Sequence, residues 1–330
     1  MRNYDGSGWL GAADPQRAAA FQRALTVSGA GTVLLDTSIN KVVQQLVLRE
    51  FGGWGALPHK PGSGDAAYIN RRTAGTTGGA WVADTTTSTE ETGSVAQVSF
   101  TYRTALTKGQ VTRKLMATGR SYGDVLAQEL AGKTNDFYNL LEDGVFNGDN
   151  AANSNQINGL LTLINAQTAQ VVAQTTATAG DSVTLAKLDQ AIDTVRGAGN
   201  RSDLVIFGSF LGLRKLNAAL QGSQRFVESG EISAGFRVRM YDGIPMVVST
   251  AIGNAMTWSG SVISAFTGGS TTALVVVNKA LNWIEELTPV TVMPLARTTS
   301  QNDNFEMFSD LAVVFSNTKG GAILGGIAGS

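Results

Sequence analysis

A single histidine, His59, and two adjacent glutamate pairs, Glu90-Glu91 and Glu285-Glu286, are the side chains whose types and spacing could do acid–base chemistry. A serine hydrolase needs its nucleophile on a sharp elbow, and no Gly-x-Ser-x-Gly presents one. His59 lies between Pro58 and Pro61 and reads as part of a surface turn. Glycoside cleavage needs two carboxylates on opposite sides of one bond. Neighbours on a strand point to opposite faces, so neither glutamate pair forms such a site, and both read as surface or interface charges. Two glycine strings remain. Gly6-Ser7-Gly8-Trp9-Leu10-Gly11 matches a dinucleotide fingerprint as text, but no strand precedes it and no helix follows to meet the phosphate. Gly132-Lys133-Thr134 looks like the end of a phosphate loop, yet Ala127 stands where the first glycine belongs and the segment has a helical pattern. The sequence therefore predicts no catalytic, cofactor-binding or metal-ligating residues.

Composition excludes further classes. The 330 residues are 43% apolar, enough for real cores, and contain no cysteine, which rules out disulfides, thiol nucleophiles, cysteine-ligated zinc and iron–sulfur clusters. With 25 basic and 26 acidic side chains the net charge is −1, and no basic run suggests that nucleic acid is gripped through its phosphates. No window approaches the roughly 18 apolar residues of a spanning helix, and the N-terminus lacks the apolar core of a signal peptide, so synthesis in the cytoplasm and no membrane contact are expected. The sequon Asn200-Arg201-Ser202 is read as a chance match. Trp54, Trp81, Trp258 and Trp283 are scattered, as core or interface packing would have them. The 39 glycines, with many threonines and serines, suit β-rich structure with long turns.

The elements that would position these residues follow from periodicity. Asp14-Pro15 starts a short helix continued by Ala18 to Leu25, and a second helix over Ser38 to Glu50 stops at Gly52-Gly53. Strands are expected at Ala66 to Arg72 and at Ala80 to Ala83. Thr85 to Ser94 forms a polar loop with no apolar anchor. Then Val98, Phe100 and Tyr102 alternate with Ser99, Thr101 and Arg103 as in a half-buried strand. Such a two-stranded ribbon is unstable alone and should lie on something else. A long helix starts near Ser121, with Asp124 completing a capping box, and Tyr122, Leu126, Leu130, Phe137, Leu141 and Val145 mark its apolar face. Gly132 within it suggests a bend or close contact. An α/β block follows: a helix through Leu185, Leu188, Ile192 and Val195, a buried strand at Asp203 to Phe207, and a helix capped by Ser209. Asp242-Gly243 is a hairpin turn, after which Pro245 starts or edges its sheet. Strands are expected at Ala273 to Val277, Asn282 to Leu287, Val290 to Leu295 and Phe305 to Phe315, with a last strand from Gly320 and a loose terminus.

Four segments in this order carry a family resemblance: Gly79-Ala80-Trp81-Val82-Ala83-Asp84 entering the polar loop, Leu141 to Asp149 closing the long helix, Tyr241-Asp242-Gly243-Ile244-Pro245-Met246-Val247, and Asp303-Asn304-Phe305 before an apolar strand. From Ala66 to the C-terminus the chain resembles the major capsid proteins of tailed bacteriophages with the Hong Kong 97-like fold. The resemblance implies an α+β chain with an N-terminal arm at 1–60, an extended β-ribbon (the E-loop) with flanking strands at 61–108, and a peripheral domain with a long spine helix at 109–160. An axial α/β domain at 161–270 and peripheral return strands at 271–330 would complete it.

By the same resemblance the protein would assemble with itself as hexamers and pentamers into an icosahedral shell around a tailed phage's double-stranded DNA, without sequence-specific binding. It would be made in the host bacterial cytoplasm and reside in the virion, with portal and decoration proteins as further partners. No long charged helix precedes the arm, so a separate scaffolding protein or unaided assembly is expected. The family's covalent cross-link uses an E-loop lysine, and residues 61–107 contain none, so contacts should be noncovalent. Contact candidates are Arg71, Arg72, Trp81, Asp84, Glu90, Glu91 and Arg103; hinge candidates are Gly52, Gly53, Gly78 and Gly79. Two other readings stay open: an encapsulin-like compartment with enzyme cargo, and a carboxylate-dependent hydrolase on a β-rich scaffold.

Overall fold

Eight consecutive buried residues, Thr271–Asn278, form the strand about which the chain is organised. A continuous β-branched run of this kind belongs in a sheet covered on both faces. In the computed structural model this strand, β12, is central to a seven-stranded sheet; the structure describes residues 52–72, 81, 83–85, 93–119, 125–222, 228–233, 236–295 and 301–329. All lie in one of the chain's two units, Leu46–Arg120 with Asp124–Ser330.

The helices are α1 (Gly52–Ala56), α2 (Arg113–Gly119), α3 (Val125–Asn147), α4 (Leu160–Asn165), α5 (Leu185–Thr194) and α6 (Phe210–Gly222). The first strands are β1 (His59–Pro61), β2 (Ala66–Arg72), β3 (Val95–Thr101), β4 (Arg103–Thr112), β5 (Val171–Ala173) and β6 (Leu204–Gly208). After α6 come β7 (Glu228–Ser233), β8 (Phe236–Tyr241), β9 (Ile244–Val248), β10 (Thr257–Trp258) and β11 (Ile263–Ala265). Beyond β12 lie β13 (Asn282–Leu295), β14 (Asn302–Phe315) and β15 (Gly321–Ala328).

The large sheet has the order β5-β15-β12-β6-β9-β8-β7. Alternation along its strands sends Val205, Phe207, Ala273, Val275 and Val277 into one apolar core. Leu204, Ile206, Leu274 and Val276 enter a second core on the opposite face, under α5 and α6. Ser209 caps α6 as expected, its Oγ accepting the Gly212 N–H at 3.0 Å. Asp242 and Gly243 take φ of 50° and 73°, the left-handed pair of a two-residue hairpin. Pro245 is the second residue of β9, an interior strand between β6 and β8; it pairs with Met240 of β8, and the ladder to β6 begins one residue later.

A four-stranded sheet, β1-β13-β14-β4, carries α3 on one face. Phe305, Met307 and Leu311 point into the core beneath the helix. The helix has 23 residues, about 34 Å at 1.5 Å each. Only its C-terminal half is deeply buried, through Phe137, Leu141, Glu142, Val145 and Phe146. The capping box at Ser121 and Asp124 lies outside the described residues.

Several expectations need correction. The stretch 271–330 does not return to one sheet: β12 and β15 pair in the large sheet, while β13 and β14 pair with each other in the four-stranded sheet, where β14 also pairs with β4. The two segments expected at 282–287 and 290–295 are one strand, β13, with register shifts between them. Trp81 and Ala83 are not in a strand. No close contact exists at Gly132, where a Cβ would meet nothing within 4 Å. The C-terminal strand is interior, and the chain after it is tied down by the Ala328 N–H to Asp181 and the Gly329 N–H to Ser270. Its glycines serve close approach: a Cβ on Gly325 would lie 2.4 Å from the Trp258 ring.

Candidate subunit-contact surface

The ribbon is built from β2 and β3, paired from Ala66↔Thr101 to Arg72↔Val95. Val98 and Phe100 are half-buried while Ser99 and Thr101 are exposed, the predicted alternation. At the end nearest the polar loop Arg71 reaches back: Nε donates to the Ser316 carbonyl at 2.9 Å and Nη2 to the Phe315 carbonyl. Its guanidinium lies 5.9 Å from the Phe100 ring, and burial lowers its pKa. Arg71 thus fastens the ribbon to β14 of its own chain. Arg72 is exposed beside Gly93. Further out, Val95 is 65% exposed, Trp81 is fully exposed, and Asp84 is an exposed turn residue. Glu90, Glu91, Gly78 and Gly79 lie outside the described residues.

Where β3 passes into β4 the chain changes partners, from β2 to β14, and Arg103 stands at the joint. It lines a 340 Å³ groove between β4 and α3 with Leu106, Leu140, Leu141, Gly144 and Ile157. It also borders a 290 Å³ groove beside Val98, Phe100 and Asn158. The Arg103 Nε is buried and makes no hydrogen bond. Leu106 and Leu140 are 44% and 47% exposed on the groove rim. A donor without an acceptor beside uncovered leucines is what an unfinished interface looks like.

The other sequence candidates are held internally. Gly52 and Gly53, expected as a helix stop and hinge, open α1 in close packing. A Cβ on Gly52 would lie 2.1 Å from the Val248 carbonyl oxygen, and one on Gly53 2.0 Å from the Phe146 ring. His59 is in a strand rather than a surface turn, with Nδ1 2.7 Å from Glu286 Oε1 and Nε2 2.8 Å from the Trp54 carbonyl oxygen. Glu285 and Glu286 do point apart, but each has a partner in its own chain. Glu285 accepts the Tyr102 hydroxyl at 2.5 Å and the Trp283 indole N–H at 3.2 Å. Burial and this carboxylate push the Tyr102 pKa up to about 12. Lys60 covers the Trp283 ring at 3.3 Å.

One functional-looking group escaped the sequence reading. Glu142, 2% exposed on α3, accepts the Gly53 N–H at 2.9 Å, the Trp54 N–H at 2.7 Å and the Ser249 hydroxyl at 2.6 Å. Burial raises its pKa, and the three hydrogen bonds oppose that rise. The signal was present: Glu142 falls between Leu141 and Val145 on the apolar stripe. Among the described residues no three His, Cys, Asp or Glu side chains cluster to hold a metal ion, and no helix is long and apolar enough to cross a membrane.

A family model described as SU10 major capsid protein matches residues 83–328. No curated protein matches the sequence. Among solved structures, the cyanophage A-1(L) capsid asymmetric unit aligns with TM-score 0.68 and 13% identity, covering 90% of this chain and 98% of that one. The capsid of the native GTA particle aligns with TM-score 0.64 and 15% identity over 92% and 98%. The holo-SrpI encapsulin complex from Synechococcus elongatus PCC 7942 aligns with TM-score 0.64 and 12% identity over 91% and 95%. At these identities the likeness establishes the fold, which is the Hong Kong 97-like fold expected from the sequence.

Proposed function

The chain belongs to the SU10 major capsid protein family, and from that premise we propose that it closes an icosahedral shell of hexamers and pentamers around the double-stranded DNA of a tailed phage. In this reading the large sheet with α5 and α6 is the axial domain, although β12 and β15 move its boundary beyond residue 270. The four-stranded sheet with α3 is the peripheral domain, and the ribbon is the E-loop. Portal and decoration proteins are its further partners, a separate scaffolding protein or unaided assembly starts the shell, and assembly takes place in the host cytoplasm.

The observation that carries the contact scheme is the pairing of an exposed ribbon with an open groove. The ribbon ends at Arg72 and Val95, and Trp81 in the following loop is fully exposed; the groove offers Leu106, Leu140 and an unsatisfied Arg103 donor. Laid across a neighbour, the ribbon supplies apolar area and the groove covers it, which a two-stranded element needs for stability. Glu90 and Glu91 supply acceptors of the charge that Arg103 requires.

The test is a deletion of residues 85–94, imaged by electron microscopy. A soluble subunit that forms no closed particles is expected; normal particles would sink the scheme. Denaturing gels of wild-type particles should show monomer only, since residues 61–107 hold no lysine. A ladder of covalent oligomers would contradict noncovalent closure.

The encapsulin-like compartment is the second reading, favoured by the fold alignment to the SrpI complex. The family match weighs against it. Nucleic acid in purified particles supports the capsid, and a co-purifying enzyme supports the compartment.

A further inference from the structure

The short segment 52–62 crosses from the long helix to the four-stranded sheet, and both of its ends are held by titratable side chains. At one end the Glu142 carboxylate of α3 takes the backbone N–H groups of Gly53 and Trp54. At the other, β1 runs parallel to β13, with the Ile284 N–H donating to the Pro58 carbonyl at 2.9 Å and the Gly62 N–H to the Glu286 carbonyl at 2.7 Å. His59 joins the two ends. Its Nδ1 meets the Glu286 carboxylate and its Nε2 meets the carbonyl of Trp54, the residue whose N–H Glu142 holds. The imidazole also stands edge-on to the Trp54 ring, with centroids 4.8 Å apart.

A carboxylate and a carbonyl are both acceptors, and a neutral imidazole has one N–H to give. Only the imidazolium donates to both. We infer that His59 is a pH-dependent clasp that fixes segment 52–62 to the body when protonated and lets it open as pH rises through the range in which histidines titrate, about 5 to 8.

The surrounding charges fit this sense. From β13, Glu286 faces His59 directly, while Glu285 is turned away to Tyr102 and Trp283. From β1, Lys60 is engaged over Trp283. From α3, Tyr138 packs edge-on against Trp54, and Glu142 acts through the Trp54 backbone. His59 is one-third exposed and Glu286 18% exposed, so protons reach the pair without unfolding. Glu142 works in the same direction. Burial raises its folded pKa, so its share of stability is complete below the unfolded value and is lost as pH rises through the folded one.

Hydrogen exchange of the purified protein, read by mass spectrometry over residues 52–62 and corrected for the intrinsic effect of pH, tests the clasp. Wild type should lose about fivefold protection between about pH 6 and 8. His59→Gln, which has one donor group at every pH, should be low and flat over that range. Glu142→Gln should keep the His59-dependent step. Should His59→Gln fold poorly, Glu286→Gln serves instead: an amide can also donate to Nδ1 of the neutral ring while Nε2–H serves the Trp54 carbonyl, so the step in protection should shrink. Flat protection in wild type, or an undiminished step in His59→Gln or in Glu286→Gln, would overturn the inference. None of these readouts depends on shell formation, so failure here leaves the capsid reading standing.

Discussion

The two sheets of this protein are finished to different degrees. In its middle strands the large sheet buries both faces within one chain: β12 sends Val275 and Val277 one way and Leu274 and Val276 the other, all fully buried. The four-stranded sheet and the ribbon beside it do not. Leu106, Val95, Val292 and Met293 remain open to solvent, and an Arg103 donor is unsatisfied. One region is closed within the monomer; the other is the one that the proposed contact scheme has a second copy cover. Substitutions should therefore separate into those that cost stability and those that cost assembly.

The largest stability effect belongs to the large sheet. Phe207 is fully buried and meets Phe146 of α3 edge-to-face at 5.2 Å between ring centroids, so it joins the two layers. Phe207→Ala should lower unfolding free energy by about 3–5 kcal/mol, measured by denaturant titration. A loss under about 1 kcal/mol would show that the layer is less completely packed than the comparison requires.

An intermediate effect is expected at Glu142, where the two regions and segment 52–62 meet. Glu142→Gln puts an amide N–H where a donor already points, and should cost about 1–3 kcal/mol. Its pH dependence has a definite sign. The wild-type carboxyl holds its proton to higher pH in the fold than in the unfolded chain, so its stabilising share is lost as pH rises through the raised value. The gap between wild type and Glu142→Gln should narrow over that rise and then stay constant. A gap that widens instead would mean that the three hydrogen bonds outweigh burial and the pKa is lowered.

The same contrast explains what was legible in the sequence. The central strands of the large sheet announce themselves, because two buried faces demand a continuous apolar run such as Leu274 to Val277, and Asp242-Gly243 admits few readings besides a hairpin turn; the edge strands β5 and β7 carry no such run and were not expected. What stayed hidden depends on partners far along the chain. His59 becomes a strand residue only by pairing with Ile284, and Glu286 becomes its partner only through that register. The division of 271–330 between two sheets is equally nonlocal. Nor does a row of glycines reveal whether it frees the backbone or admits a neighbour; Gly53 and Gly325 do the second, against Phe146 and Trp258. Of the contact candidates, Arg71 turned inward because a guanidinium serves main-chain carbonyls as readily as a partner's carboxylate.

The smallest stability effect, and the most discriminating, is at Trp81. Its ring is wholly exposed, so its removal takes nothing from the described core. Trp81→Ala should leave the unfolding free energy within about 0.5 kcal/mol of wild type. Large aromatic side chains are nevertheless the residues that anchor interfaces, and truncating one typically costs about 2 kcal/mol or more of association free energy. Sedimentation of Trp81→Ala should thus show a raised threshold concentration for particle formation with an unchanged melting curve. Equal assembly thresholds would remove Trp81 from the contact, and a lowered melting point would place it in the subunit's own core. Leu140→Ala, on the groove rim, makes the reciprocal test. If ribbon and groove meet, the double substitution should raise the threshold by less than the product of the single effects, because each alone already breaks the shared contact.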